Sequence, residues 1–313
     1  MSKIRNNGLF LHMRQVGTRL LTVLLLAAVC ISFSGCSIFF LTGDEMSQTS
    51  TSPKEDPSDT SGQQDDNSTG RKRVAFTFDD GPQAPAEDLD AGIYPYTTYL
   101  LDKIESLQKE GHRAQVTFFV VGSRAIEYPG ALRRAESLGC EIGSHTYDHD
   151  SIKGKDQTFI SETLSRAANA IAAAGVPRPR LYRPVGGAIT ADQLAYTASL
   201  GYTAVAWSID TTDWNGHPKT SDKTSEDAAR RTAYEAFVNN KVQLILNSVE
   251  DGDIVLMHDL YMSSIDIFIR AADRLIEQGY DLVTVSELLG LDESSQAPSA
   301  MYISRGKTVT HMD

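Results

Sequence analysis

Short apolar runs alternate along this chain with longer segments whose apolar residues recur at helical spacing. The short runs predict buried strands and the longer segments predict amphipathic helices. The strand candidates are Arg73–Phe78, Gln115–Val121, Cys140–Ser144, Ala204–Ile209, Asp253–His258 and Asp281–Val285. The helix candidates are Thr97–Lys109, Pro129–Ser137, Phe159–Ala174, Ala191–Ser199, Ser225–Asn239 and Ser263–Glu277. This alternation predicts repeated βα units around a parallel sheet.

Four polar residues stand at the ends of the predicted strands. Asp79, His145 and Asp210 each follow a strand candidate, and His258 ends one. A repeated βα pattern of this length predicts an α/β fold with a closed or distorted (β/α) barrel, and an open doubly wound sheet is the alternative. In both architectures active residues gather at the C-terminal ends of strands, so we expect these four residues to lie close together.

The N-terminal segment has the pattern of an export signal. Four basic residues precede the apolar run Leu20–Phe33, and no acidic residue occurs in the first 43 positions. The basic residues are Lys3, Arg5, Arg14 and Arg19. The sequence Phe33-Ser34-Gly35-Cys36 resembles a bacterial lipobox with Phe at its first position. The resemblance implies a signal over residues 1–35, a lipid on Cys36 and a domain at the extracellular face of the bacterial cell membrane; an uncleaved transmembrane anchor is the alternative.

Two polar regions flank the predicted domain at residues 71–290. Residues 36–70 are rich in Ser, Thr and Asp, and from residue 42 onward almost no apolar side chain occurs, which predicts a disordered tether. Residues 291–313 are again polar, and we expect this C-terminal tail to fray.

Cysteine content and charge exclude several classes of site. With Cys30 in the signal and Cys36 at the lipobox, only Cys140 is left in the domain, so neither an intrachain disulfide nor a Cys-rich zinc site is available. We expect Cys140 to be a small buried side chain. The net charge is −12, and it becomes −16 without the four basic signal residues, which argues against a nucleic-acid partner.

Two histidines and a pair of aspartates predict a metal site. On a helical turn, His145 and His149 would face one way, within reach of one ion. Asp79 and Asp80 can supply a third ligand, and because successive strand side chains point apart, one carboxylate stays free as a base. Two histidines and one carboxylate leave positions open for water and substrate. The alternative is two surface histidines beside an ordinary Asp-Gly-Pro turn.

Three further motifs hold groups that suit hydrolysis. His258, at a strand end, is suited to protonating a leaving amine, and Asp213 could orient its second ring nitrogen. Arg183 could orient a carboxylate, and its Arg-Pro-x-Gly-Gly loop could bind an oxyanion through backbone N–H groups. Trp214 is either an apolar wall of the site or a core residue.

These stretches resemble the five motifs of the polysaccharide deacetylase family, carbohydrate esterase family four. The motifs are Thr77-Phe78-Asp79-Asp80-Gly81-Pro82, His145-Thr146-Tyr147-Asp148-His149, Arg183-Pro184-Val185-Gly186-Gly187, Asp210-Thr211-Thr212-Asp213-Trp214 and Leu256-Met257-His258-Asp259. The resemblance covers residues 72–289 and implies a distorted (β/α) barrel. It also implies a divalent metal, zinc first, with cobalt or another ion open.

The resemblance assigns a role to each residue. The metal ligands would be Asp80, His145 and His149; the catalytic residues would be Asp79 as base, His258 as acid, Arg183 and Asp213; and the substrate and oxyanion residues would be Gly186, Trp214 and Leu256. Gly186 stands where the family usually has an aromatic residue, which alters the groove wall. The segments Gln83–Thr97 and Asn215–Thr224 are longer than usual, and we expect them to rim the site.

The implied reaction removes N-acetyl groups from a cell-envelope polysaccharide. N-acetylglucosamine of peptidoglycan is the first choice of substrate, while muramic acid residues, chitin oligomers and acetylxylan stay open. A two-histidine iron oxygenase would leave Asp79 and His258 without a role. A non-catalytic glycan-binding module is a further alternative, although the full set of ligands is present.

Overall fold

The computed structural model describes residues 70–83 and 95–312. The predicted signal or anchor, Cys36 and nearly all of the predicted tether lie outside these residues, as does most of the segment 83–97. Among the described helices, none is both long enough and apolar enough to cross a bilayer.

The described strands form one sheet, in which every pair is parallel except that of the last two strands along the chain. They are β1 (Lys72–Asp79), β2 (Thr117–Val120), β3 (Glu141–Ser144), β4 (Leu181–Tyr182), β5 (Thr203–Val205), β6 (Ile209–Asp210), β7 (Ile254–His258), β8 (Tyr280–Leu282), β9 (Met301–Ser304) and β10 (Lys307–Val309). Their order is β10-β9-β5-β4-β3-β2-β1-β7-β6, and β8 pairs with the start of β1. Although β5 and β6 are consecutive in the chain, they are not neighbours in the sheet: β5 pairs with β9 and β6 pairs with β7. The predicted (β/α) barrel is therefore distorted. The fold prediction is confirmed.

Helices connect these strands and cover the sheet. They are α1 (Thr97–Lys109), α2 (Gly122–Glu127), α3 (Pro129–Ser137), α4 (Gln157–Ala173), α5 (Ala191–Ser199), α6 (Ala228–Ser248), α7 (Met262–Glu277) and α8 (Val285–Leu289). The bounds of α1, α3 and α5 are those predicted. Local chemistry sets some of these ends: Asp156 accepts the N–H of Phe159 at the start of α4, and Thr190 and Gln193 form a capping box on α5.

The alternation of side chains along β1 places one functional residue inside the barrel. Phe76 and Phe78 pack edge-to-face on Phe268 of α7, with ring centroids 5.3 and 5.4 Å apart. Thr77 and Asp79 therefore point to the opposite side of the strand. Both are buried, at 0% and 3% exposure, so Asp79 lies in the interior of the barrel and not in the helix layer.

Three local predictions are wrong. The run Ala204–Ile209 forms two short strands, β5 and β6, and not one. The segment from His145 to His149 contains no helical turn, because Thr146 and His149 have positive φ angles of 66° and 62°. The polar tail does not fray throughout: β9 and β10 pair with each other, and β9 pairs with β5, because Met301 is fully buried and anchors the hairpin.

Candidate active site

The predicted metal ligands converge at the C-terminal ends of β1 and β3. Asp80, His145 and His149 each offer a ligand atom, and these atoms lie within 4.8 Å of one another. Asp80 Oδ1 is 3.4 Å from His145 Nε2 and 3.0 Å from His149 Nε2. Two imidazoles and one carboxylate form the donor set of a catalytic zinc site, so these residues fit a divalent cation.

Left-handed backbone conformations bring these ligands together. Asp80, Thr146 and His149 have φ angles of 76°, 66° and 62°. Asp and His tolerate this region better than most residues, whereas a β-branched Thr is strained there. The strained loop is held from outside, since the carbonyl oxygens of Thr146 and Tyr147 accept the N–H groups of Gly122 and Ser123 at 3.0 and 2.9 Å. These left-handed conformations, and not the predicted helical turn, therefore bring the two imidazoles together.

The electrostatics of two of the three ligands suit metal binding. The hydrogen bond to Asp80 raises the pKa of the third, His149, so an ion must displace a proton there. Burial alone would raise the pKa of Asp80, but the neighbouring His149, His145 and His258 outweigh burial and hold this pKa well below its ordinary value. Burial lowers the pKa of His145, which keeps its imidazole neutral. The Nδ1 atom of His145 donates to the carbonyl oxygen of Arg183 at 2.9 Å, so its Nε2 lone pair faces Asp80. Asp80 and His145 are therefore in the protonation states that a metal requires.

Asp79 is held apart from the ligand group by a buried arginine. The Arg183 guanidinium donates to Asp79 Oδ1 at 2.7 Å and to Thr77 Oγ1 at 2.8 Å. Arg183 is fully buried, lies 4.1 Å from the ring centroid of Phe119, and also donates to the carbonyl oxygens of Val205 and Ala206 at 3.2 and 2.7 Å. Asp79 Oδ2 is 3.8 Å from His145 Nε2 and remains directed toward the metal site. Arg183 thus fixes one carboxylate oxygen of Asp79 and leaves the other facing the ligand group.

His258 and Asp213 form the second predicted pair. His258 Nδ1 is 2.9 Å from Asp213 Oδ1, and the His258 backbone N–H donates to Asp213 Oδ2 at 2.9 Å. Burial lowers the pKa of His258, but Asp213, Asp79 and Asp80 outweigh it and raise this pKa to about 9. His258 is therefore protonated at neutral pH, as an acid must be before it donates.

The residues assigned to substrate differ in exposure. Trp214 is 47% exposed, so it lies at the surface and not in the core. Gly186 is exposed in a left-handed conformation with φ of 61°. Leu256 is 4% exposed and lies in β7 two residues before His258, on the same side of the strand. Leu256 therefore lies beneath His258, with little surface left for substrate.

Asp259 is a site residue to which sequence reasoning gave no role. Its side chain is fully buried, Thr97 donates to its Oδ2, and burial raises its pKa to about 6. A Cβ added to Gly81 would lie 2.0 Å from Asp259 Oδ1. The carboxyl group is thus packed on the turn that follows Asp80. Adjacency to His258 was the only signal in the sequence, and it does not distinguish this contact from a surface position.

Comparison with known proteins gives consistent similarities. A family profile described as Polysaccharide deacetylase matches residues 66–205. A Bacillus cereus protein named peptidoglycan-N-acetylglucosamine deacetylase is 30% identical over 222 residues, which cover 70% of this chain and 88% of that protein. The peptidoglycan-N-acetylglucosamine deacetylase PgdA of Listeria monocytogenes is 31% identical over 219 residues, which cover 70% of this chain. The matched segment spans 39% of the Listeria protein's length.

A solved structure agrees with these relatives. A deacetylase determined with its substrate superposes with a TM-score of 0.58 and 32% sequence identity, and the match covers 74% of this chain and 96% of that one. The similarity thus extends over nearly all of the solved domain.

Proposed function

Because this chain belongs to the polysaccharide deacetylase family, we propose that it is a metal-dependent hydrolase that removes N-acetyl groups from amino-sugar residues of a cell-envelope polysaccharide. One observation carries the proposal: a ligand group of Asp80, His145 and His149 lies beside a carboxylate, Asp79, that an arginine holds out of that group. A binding module or an iron oxygenase has no use for the second carboxylate.

Each residue around the ligand group has a separate role in amide hydrolysis. A divalent ion held by the three ligands would lower the pKa of a bound water and polarise the acetyl carbonyl. Asp79 accepts the proton of the attacking water, and Arg183 holds the carboxylate in the orientation that this requires. The backbone N–H of Gly186 stabilises the developing oxyanion. His258, protonated and oriented by Asp213, donates a proton to the sugar amine as acetate leaves.

The proposed substrate is N-acetylglucosamine in peptidoglycan. The names of the two relatives support this choice, and the exposed Trp214 offers a ring face on which a sugar can stack. Muramic acid, chitin oligomers and acetylxylan carry the same acetyl centre, so they are the competing substrates. We further propose zinc as the metal and attachment to the extracellular face of the membrane through Cys36 or an N-terminal anchor.

The test is acetate release by the purified full chain. N-acetylglucosamine oligomers, acetylxylan and purified peptidoglycan would each be incubated after chelation and after addition of zinc, cobalt or iron. We expect zinc to restore release, with peptidoglycan as the preferred substrate. If zinc binds but no glycan releases acetate, the deacetylase proposal fails and a binding role replaces it. Release that only iron and oxygen support would favour the oxygenase.

A further inference from the structure

The C-terminal hairpin lies against the loop that carries Gly186. This hairpin comprises β9 and β10 with the residues that follow them to Met312, and the glycine loop is Pro184–Ala188. A Cβ added to Gly187 would lie 2.9 Å from Met312 Cγ and 3.4 Å from Trp207 Cη2. Met312 and Trp207 also pack against one apolar cluster, which includes Met301. The methionine side chain therefore occupies the space that any larger residue at 187 would fill.

The glycine loop needs such support from outside. Gly186 and Gly187 both have left-handed φ angles, 61° and 67°, and consecutive glycines lose more conformational entropy on ordering than other residues. The loop's own hydrogen bonds include Gly187 N–H to the carbonyl oxygen of Pro184 at 2.9 Å. An added Cβ would meet no atom within 4 Å at Gly186, so of the two glycines it is Gly187 that packs on the rest of the protein.

The same hairpin also reaches the arginine that orients the base. The N–H of Ala206 donates to the carbonyl oxygen of Tyr302 in β9 at 2.7 Å. The carbonyl oxygens of Val205 and Ala206 accept hydrogen bonds from Arg183, which donates in turn to Asp79. The hairpin thus contacts both the backbone that holds Arg183 and the glycine loop that follows Arg183.

We propose that Met312 of the C-terminal hairpin is a positioning residue for catalysis: it fixes the glycine loop, and with it the Gly186 N–H, at the active site. Gly186 lacks the aromatic side chain expected at this position, so the loop cannot anchor itself by its own side chain there. The thioether group of Met312, flexible and apolar, fills the gap beside Trp207 instead. The inference rests on the proposed function for the catalytic role of Gly186.

Two measurements on the full chain test this proposal. In Met312→Ala we expect kcat for N-acetylglucosamine oligomers to fall about tenfold with KM little changed, because a misplaced oxyanion donor weakens transition-state binding. We expect amide hydrogen exchange at Gly187 to quicken and zinc affinity to stay the same. Met312→Leu, which conserves volume, should restore both kcat and exchange. Phe159→Leu, in α4 and outside the hairpin, removes apolar surface from the same cluster and should leave kcat unchanged.

Unchanged exchange at Gly187 in Met312→Ala would overturn the proposal, whatever the activity. So would a fall in kcat that Phe159→Leu reproduces, because that result reflects general loss of packing. Exchange can be measured without turnover, so failure of the deacetylase proposal in the wild-type chain would be recognised separately from failure of the positioning proposal.

Discussion

Asp213 contacts His258 through both carboxylate oxygens, one at the imidazole Nδ1 and one at the backbone N–H, each at 2.9 Å. The backbone bond fixes where His258 leaves β7, and the side-chain bond fixes its tautomer and orientation. Asp213 is fully buried, so little water screens its charge from the imidazole. The pair therefore sets both the geometry and the protonation of the proposed acid.

Replacing Asp213 should move the pH range of catalysis. His258 donates only when protonated, so activity should fall as pH rises through its pKa of about 9. In Asp213→Asn the amide oxygen can still accept the Nδ1 proton, but the amide nitrogen cannot accept the His258 backbone N–H. Because the new side chain carries no charge, the pKa of His258 should fall toward its ordinary value. We expect the alkaline limb of the kcat profile to move to lower pH by about 1 to 2 units. An unmoved limb would contradict the role of His258 as acid.

The same pair should make folding stability depend on pH. The folded pKa of His258, about 9, lies above its ordinary value of 6.5, so protonation favours the folded state. This contribution is complete below about pH 6.5 and is lost as pH rises through 9. The difference in unfolding free energy between wild type and Asp213→Asn should therefore shrink between pH 6 and pH 10. Urea unfolding at these two pH values measures it.

Asp79→Asn should separate catalysis from metal binding. The amide keeps the shape of the side chain and can still accept from Arg183, but it cannot take a proton from water. We expect turnover to fall at least a hundredfold, the lower end of the range for loss of a general base, while zinc affinity changes little. Acetate release and zinc competition titration measure the two effects. Retained turnover would contradict the assignment of Asp79 as base.

His145→Ala should abolish both activity and tight zinc binding. The substitution removes one of three ligand groups, and it also removes the imidazole that links Arg183 to the site. His112 is exposed on a loop after α1, and His112→Ala is the matched control, expected to keep zinc and activity. Zinc competition titration of both variants makes the comparison. If His145→Ala binds zinc as wild type does, the ligand assignment is wrong.

Gly81→Ala should destabilise the fold through Asp259. The new methyl group would lie 2.0 Å from one carboxyl oxygen of Asp259 and 2.2 Å from the other, and both are held in a closed interior. Overpacking of this kind costs about 1 to 3 kcal/mol. Gly130, in α3, has nothing within 4 Å of an added Cβ, so Gly130→Ala should be stabilising by about 0.4 to 1 kcal/mol. Equal urea midpoints for the two variants would contradict this packing.

The proximity of the main site residues could be predicted from the order of the strands. Asp79, His145 and His258 stand at the ends of adjacent or nearly adjacent parallel strands, and that placement alone predicts their proximity. Helices such as α1 and α5 were predicted with the right bounds, because apolar spacing and turn residues mark both ends.

What sequence could not provide depended on contacts between distant segments. The loop from His145 to His149 has the spacing of a helix, yet hydrogen bonds from α2 hold it in left-handed conformations. The hairpin of β9 and β10 is too short and too polar to predict alone, because its partner, β5, lies about a hundred residues earlier. The fit of Asp259 against Gly81 likewise exists only in the folded chain.

The strained loop that carries His145 and His149 has a consequence for protein engineering. On a helix, a spacing of four residues places both histidine rings on one side. Here φ angles of 66° at Thr146 and 62° at His149 aim the rings, and a host helix permits neither angle. The segment copied into another protein would carry the right residues and the wrong geometry. The transferable unit is the rim of the barrel, with α2 and the end of β1 included.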